Sequence, residues 1–351
     1  MQKTKINNLG FYTLAHLCVD MTCMWLMAGF FLRYNIGLSL KAAVFYNFFA
    51  FAFQPVLGLI TDKFKMPKQT AAAGFLLTLA GVVCVNVCAP LAIFLIGVGN
   101  AAFHIGAGVL VFNLNAKSPA FTGVFVCSGA LGLALGALLF KMNFGAEFFV
   151  LLICALFVSC LFIKSPQINY SLPAPQKPAG IIWAVVILLL SAIIIRSFIG
   201  HDLGLAYVPS AAQKWIMVFA IVFGKALGGF AADKWGMLKA GVIPLAAAAP
   251  LLFAGRFYFP LIICGLFLFQ FAMPIALYLL WQTMPRRPAF AFGLNCFALF
   301  VGSIPFFAGA RYLPVFNTIL ILYAALCVGF AVKSLPVNLA DSSVGGTEEL
   351  T

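Results

Sequence analysis

Charge is what this sequence has least of. Only 8% of its 351 residues are charged, eight of them Asp or Glu, and three residues are His. About a quarter of an ordinary soluble domain is charged, so a solvated surface around a single soluble core is excluded. No Gly-x-x-x-x-Gly-Lys-Ser/Thr loop occurs, which removes the usual cradle for the phosphates of ATP. No His-Glu-x-x-His occurs either, and Ser128 lacks the Gly-x-Ser-x setting of a membrane serine protease, so an enzyme is not expected. Cys-x-x-Cys is absent as well. The ten cysteines, Cys84, Cys88, Cys154 and Cys160 among them, fall in apolar stretches and read as small core residues, with no cofactor or metal expected.

What is present is hydrocarbon. The chain is 64% hydrophobic, and a membrane-spanning helix needs about 20 apolar residues because its backbone polar groups must be satisfied within the segment. Twelve stretches qualify: 9–31, 42–60, 70–88, 91–113, 120–140, 146–163, 181–200, 215–232, 238–255, 259–281, 288–309 and 313–332. The basic N-terminus runs into an apolar stretch too long for a signal peptide and without a small-residue cleavage site, so it is expected to be the first span. With that end in the cytoplasm, Lys and Arg outside the spans are more numerous on the inner side, and both termini are expected there, in an inner or plasma membrane. The net charge of +13 is thus mostly topology. The expected surroundings are a lipid bilayer, and no nucleic-acid partner is expected.

The sequence repeats itself. Gly58, Asp62 and Lys63 recur 171 residues later as Gly229, Asp233 and Lys234, and Pro-Ala-Phe at 119 recurs at 288. Two halves are expected, 1–163 and 181–333, each a six-helix bundle. They are joined by the polar, proline-rich linker 164–180 and followed by a tail, 334–351, expected to be disordered. Duplicated bundles with a central linker are a common build of secondary transporters. At the inner face Asp62 should meet Arg286 and Arg287 before the eleventh span, whose helix N-terminus also favours an anion. By pseudo-symmetry Asp233 should meet Lys117. Such partly exposed links are worth about 1 kcal/mol each, suited to a gate that opens every cycle.

Ionisable groups at bilayer depth cost at least a few kcal/mol, so each is a functional candidate. They are unevenly spread. The first span carries His16 and Asp20, the fourth Asn100 and His104, the seventh Arg196 with His201 and Asp202 near its outer end, and the tenth Gln270 and Gln282; Lys225 stands in the eighth. His16 and Asp20 share a helix face, as do Asn100 and His104. Asp20 lies about 16 Å along an outward-going helix and His104 about 14 Å from the same surface. The two pairs are therefore expected to meet and exchange protons, although a structural hydrogen-bond pair fits the same spacing. Asn100, Arg196, Gln270 and Lys225 are the candidates for binding solute. Arg196 and Lys225 favour an anionic or zwitterionic small molecule, with Asp202 as an alternative partner for Arg196.

The phrase after the second span, echoed after the eighth, resembles the signature loop of the Major Facilitator Superfamily. The second copy matches with Gly229, Asp233, Lys234, Gly236 and, one place late, Lys239; in the first, Lys65 replaces the second glycine. The resemblance implies an all-α integral membrane fold of twelve helices in two pseudo-symmetric bundles, with the first, fourth, seventh and tenth spans lining a central cavity. The stretches around His16/Asp20 and Asn100/His104 resemble motifs of the fosmidomycin resistance protein branch, as does an arginine in the seventh span, Arg196 here. Val19, Ile105 and Gly106 depart from that branch's pattern, which leaves drug specificity open. Gly129, Gly132 and Gly136 resemble a glycine-rich antiporter motif, with Ala137 in place of its proline; close helix packing explains them equally well. The expected function is secondary active transport of a small solute by alternating access, proton-coupled and acting as a monomer, with a slight lean to efflux. The alternatives are a facilitator or uptake carrier for a small organic anion, and a transporter-like sensor without flux.

Overall fold

The computed structural model describes residues 2–33, 36–171, 175–206, 209–309 and 313–335, and all regular structure among them is helical. The expected tail lies, from residue 336 on, outside the described residues. The helices group into twelve stretches, ten of them, among the described residues, long and apolar enough to cross a membrane. They are Gln2–Arg33; a composite second span of Ile36–Asn47, a π-helical turn Phe48–Ala52 and Gln54–Phe64; then Pro67–Cys84, Ala89–Leu114, Pro119–Lys141, Ala146–Phe162, Ala179–Ala206, Ala211–Trp235 and Met237–Gly255. A tenth span broken into Phe259–Phe269 and Ala272–Thr283 follows, then Pro288–Phe307 and Pro314–Ser334.

Proline sets many of these boundaries. The third, fourth, fifth, tenth, eleventh and twelfth spans each carry Pro at the first or second helical position, where the missing N–H is no loss and φ is already helical. Pro67 therefore starts the third span before residue 70, and that helix ends at Cys84 rather than 88. Cys88 is the exposed residue that precedes the fourth span, not a core residue. Pro274 stands one turn after the break in the tenth span, whose freed Gln270 carbonyl is taken by the Met273 amide at 3.1 Å. Pro305 falls in the last turn of the eleventh span and leaves it unbroken.

The start of the first span and the segment after the sixth share one end of the molecule: Asn8 Nδ2 donates to Lys164 O at 3.0 Å, and Tyr12 and Ser165 hydroxyls lie 3.4 Å apart. That end is termed the linker face. Contacts repeat between the halves. The first span packs on the fifth and the seventh on the eleventh; the third packs on the fourth and the ninth on the tenth. Glycine makes these approaches close. Any side chain at Gly132 would run into Leu17 O, and any at Gly302, 170 residues later, into Ile194 O.

Candidate functional site

The linker face is closed by two equivalent crossings between the halves, the second span on the eleventh and the eighth on the fifth. A Cβ at Gly58 would stand 2.5 Å from Ala289 O, and one at Gly229 2.7 Å from Pro119 O. The glycines of the repeated phrase are thus where backbone meets backbone. One turn on, Asp62 accepts from the Ala289 and Phe290 amides at 3.1 and 2.9 Å. Asp233 accepts from Ser118 Oγ, and Ser118 caps the fifth span through the Ala120 amide.

These bonds differ from the expected ion pairs. Asp62 is held by backbone amides where Arg286 and Arg287 were expected, and Asp233 by Ser118 where Lys117 was. The reason is that the first amides of a helix are orphan donors already fixed in direction, whereas Lys117, Arg286 and Arg287 are exposed, and Arg287 acts on Asp62 only through its field. Lys63 lies over the Phe64 ring, 5.5 Å from its centroid, and Lys234 is exposed at the same end. Further closure comes from Tyr278 and Gln282 of the tenth span, which donate to Ala116 O at 3.0 and 3.3 Å, and from Phe112 stacked on Trp281 at 5.2 Å.

Beyond this plug, from mid-span toward the opposite face, lies a cavity of about 480 Å³. Its first-span lining runs from Asp20 to Phe31, with nothing from the half of that helix nearer the linker face. Arg196, Gln270 and Lys225 all face it. Gln270, at the break of the tenth span, accepts from Arg196 Nη2, while Arg196 Nε is buried without a partner. Lys225 reaches only Val126 O, at 3.4 Å. Among the described residues neither cation has a carboxylate within 4.0 Å. The side chain of Asp202, the alternative partner of Arg196, lies outside what the structure describes. His201 lines the cavity too, stacked on Phe306 at 5.3 Å.

The fourth span contributes nothing to this lining, contrary to the implied four-helix arrangement. The second, fifth, eighth and eleventh spans do, through Tyr46, Leu133, Lys225 and Leu299 among others. Asn100 and His104 instead lie behind Asp20. Asn100 Nδ2 donates to Asp20 Oδ1 at 2.8 Å, His104 Nε2 lies 3.7 Å from that oxygen, and His16 Nε2 lies 3.2 Å from Oδ2. The two imidazoles meet edge to face at 4.4 Å.

Each ring is fixed by its other nitrogen. His16 Nδ1 lies 2.8 Å from Phe125 O and His104 Nδ1 2.8 Å from Asn100 O. A carbonyl only accepts, so each Nδ1 carries a proton and each ring turns Nε2 toward the carboxylate. Two imidazole nitrogens and a carboxylate therefore converge in a buried space. Such a set can hold a positive charge, as a proton on an Nε2 or as a cation among the three.

The glycine row on the fifth span is explained by this packing. Gly132 and Gly136 lie against the Leu17 and Met21 carbonyls, and a Cβ at Gly129 would come within 2.6 Å of Asp20 Oδ2 and 2.7 Å of His16 Nε2. The row seats the fifth span on the first and leaves room for the cluster.

The duplicated helical bundle, closed at one end over a central cavity, is a fold this chain shares with solved transporters, one of them of the Major Facilitator Superfamily. No family model matches the sequence, and no curated protein matches it in sequence. Solved structures do match in fold. The fucose:proton symporter FucP of E. coli superposes with a TM-score of 0.62 at 13% identity, over 94% of this chain and 98% of that one. A second FucP structure, in the outward conformation, gives 0.59 at 14% over 92% and 98%. The human organic anion transporter MFSD10 gives 0.66 at 12% over 92% and 99%.

Proposed function

We propose that this protein is a secondary carrier that moves a small organic anion across the membrane by alternating access, with a proton at His16, Asp20 and His104 as the coupling ion. One observation carries the reading: among the described residues Arg196 and Lys225 face a single cavity between the halves with no carboxylate within 4.0 Å of either, and Arg196 Nε is left without an acceptor. A buried guanidinium N–H without an acceptor is unfavourable, and a carboxylate or phosphate matches its planar fork. The proteins of similar fold include both a proton symporter and an organic anion transporter.

The carrier reading takes 1–163 and 181–333 as the two moving bodies and 164–180 as their linker, with the linker face in the cytoplasm. The glycine row of the fifth span, accounted for by its packing on the first, gives no preference for efflux over uptake.

A thermal-shift screen of metabolites on the purified protein tests the reading. Particular carboxylates or phosphates should raise the melting temperature of the parent, do so less for Arg196→Lys, and not at all for Arg196→Ala. A neutral sugar that stabilises parent and Arg196→Ala equally would overturn the anion assignment. Counterflow of the identified solute in liposomes separates a carrier from a sensor without flux.

A further inference from the structure

The buried cluster has a second chemistry. We propose that His16, Asp20 and His104 form a binding site for a divalent transition-metal ion, of which zinc is the model, entered from the central cavity.

The donor set is two imidazoles and one carboxylate, each offering a single atom, and these atoms lie within 4.8 Å of one another. Ligand bonds of about 2.0–2.1 Å in a tetrahedral site set neighbouring ligand atoms about 3.3 Å apart. The nearest imidazole–carboxylate separations, 3.2 Å from His16 Nε2 to Oδ2 and 3.7 Å from His104 Nε2 to Oδ1, lie on either side of that figure, each ring facing a different oxygen of the carboxylate. The tautomers are already correct, since both rings spend Nδ1–H on a backbone carbonyl and present Nε2. That is the outer-shell arrangement that orients histidine ligands, and Asn100 holds the carboxylate in the same way through Oδ1.

Space is available as well. The fifth span faces the ligand atoms with Gly129, where a methyl group would press on both Oδ2 and His16 Nε2. Asp20 also lines the cavity, which gives the ion a path in and leaves a position open to water or solute, the pattern of three protein ligands and one exchangeable one. Metal binding itself does not depend on the carrier reading. Its consequence does: an ion on these three atoms occupies the coupling site and stops gradient-driven transport.

Cobalt(II) as a spectroscopic probe and zinc as a competitor test this on the full-length purified protein. The parent should bind one more equivalent than Asp20→Asn or His104→Gln, displaceable by zinc. That equivalent should show the visible absorption of four-coordinate cobalt, with imidazole scattering and no sulfur in its X-ray absorption, which sets it apart from binding at exposed cysteines. Asn100→Ala, which keeps all three ligands, should weaken it about 10- to 100-fold, and Gly129→Ala should exclude it. Equal stoichiometry in parent, Asp20→Asn and His104→Gln, or sulfur in the parent's ligand shell, would overturn the site. Loss of the metal site would leave thermal shifts through Arg196 untouched, and loss of those shifts would leave the cobalt equivalent in place, so the two proposals fail separately.

Discussion

At the scale of single residues, the molecule separates two kinds of buried charge. Arg196 and Lys225 face the cavity with no carboxylate within 4.0 Å among the described residues, whereas Asp20, at the edge of the same cavity, is held by His16, His104 and Asn100. The charged and titratable groups that share the cavity with Asp20 include Lys225 on the eighth span, Arg196 and His201 on the seventh, and Tyr46 on the second, and Cys23 lies beside Asp20 on its own span. If the cluster holds the coupling proton, Asp20→Asn should leave exchange of solute down its own gradient measurable in proteoliposomes and abolish accumulation driven by an imposed pH gradient. Accumulation with an unaltered pH profile in that variant would assign the cluster a structural or purely metal-binding role. Asp20 was legible in the sequence as an intramembrane acid one helical turn from a histidine. The role of Asn100 was not, because helix spacing gives a shared face but not which side chain of a pair points at a third helix.

At the scale of helices, glycine marks two kinds of contact with different duties. Gly58 and Gly229 lie where the halves cross at the linker face, and Gly132 lies between the first and fifth spans of one half. A Cβ at any of them meets backbone carbonyl oxygen, which cannot turn aside. Gly58→Val should therefore hold the linker face open: a single cysteine beside Asp62 becomes more reactive to water-soluble thiol reagents and transport falls, with normal insertion. Asp62→Ala should act in the same direction but less, since losing a helix cap costs about 1 kcal/mol. Gly132→Val should instead lower the melting temperature without raising that reactivity. If Gly58→Val behaves like Gly132→Val, the crossing is part of the static core. The repeat of glycine, aspartate and lysine was visible by inspection. That the aspartates seek helix N-termini was only half visible, because exposed arginines and lysines nearby offered an equally plausible partner on paper.

At the scale of the molecule, one end is sealed and the cavity lies toward the other, which on the carrier reading is one extreme of an alternating-access cycle. Spin labels at Lys63 and Arg286 report across the halves at the linker face. A second pair at Lys141 and Gln213 reports at the opposite end of the crossing between the fifth and eighth spans. Adding a solute found by the thermal screen should lengthen the first distance in part of the population and shorten the second in the same part. Distances that stay fixed, or that lengthen together, would exclude rocking of two bodies about a central site. The π-helical turn Phe48–Ala52 and the break at Gln270 lie on the cavity side of these crossings and interrupt two of the spans that line it. Irregular backbone at membrane depth is tolerated only where protein or a cavity surrounds it.

The sequence by itself determined that the chain is built of long apolar helices, that it is two copies of one plan, and which few polar residues stand within those helices. Each follows from a local rule: lipid demands long apolar helices, duplication leaves a constant offset, and an isolated charge in hydrocarbon stands out. The tertiary structure alone decided the partners. It put Asn100 and His104 behind Asp20 rather than on the cavity wall, brought Lys225 of the eighth span into that wall, gave Asp62 to helix amides, and spent the glycine row of the fifth span on packing. Those outcomes depend on the rotation of each helix about its axis. Rotation is fixed by interlocking with neighbours distant in sequence, and no count along a single helix contains it.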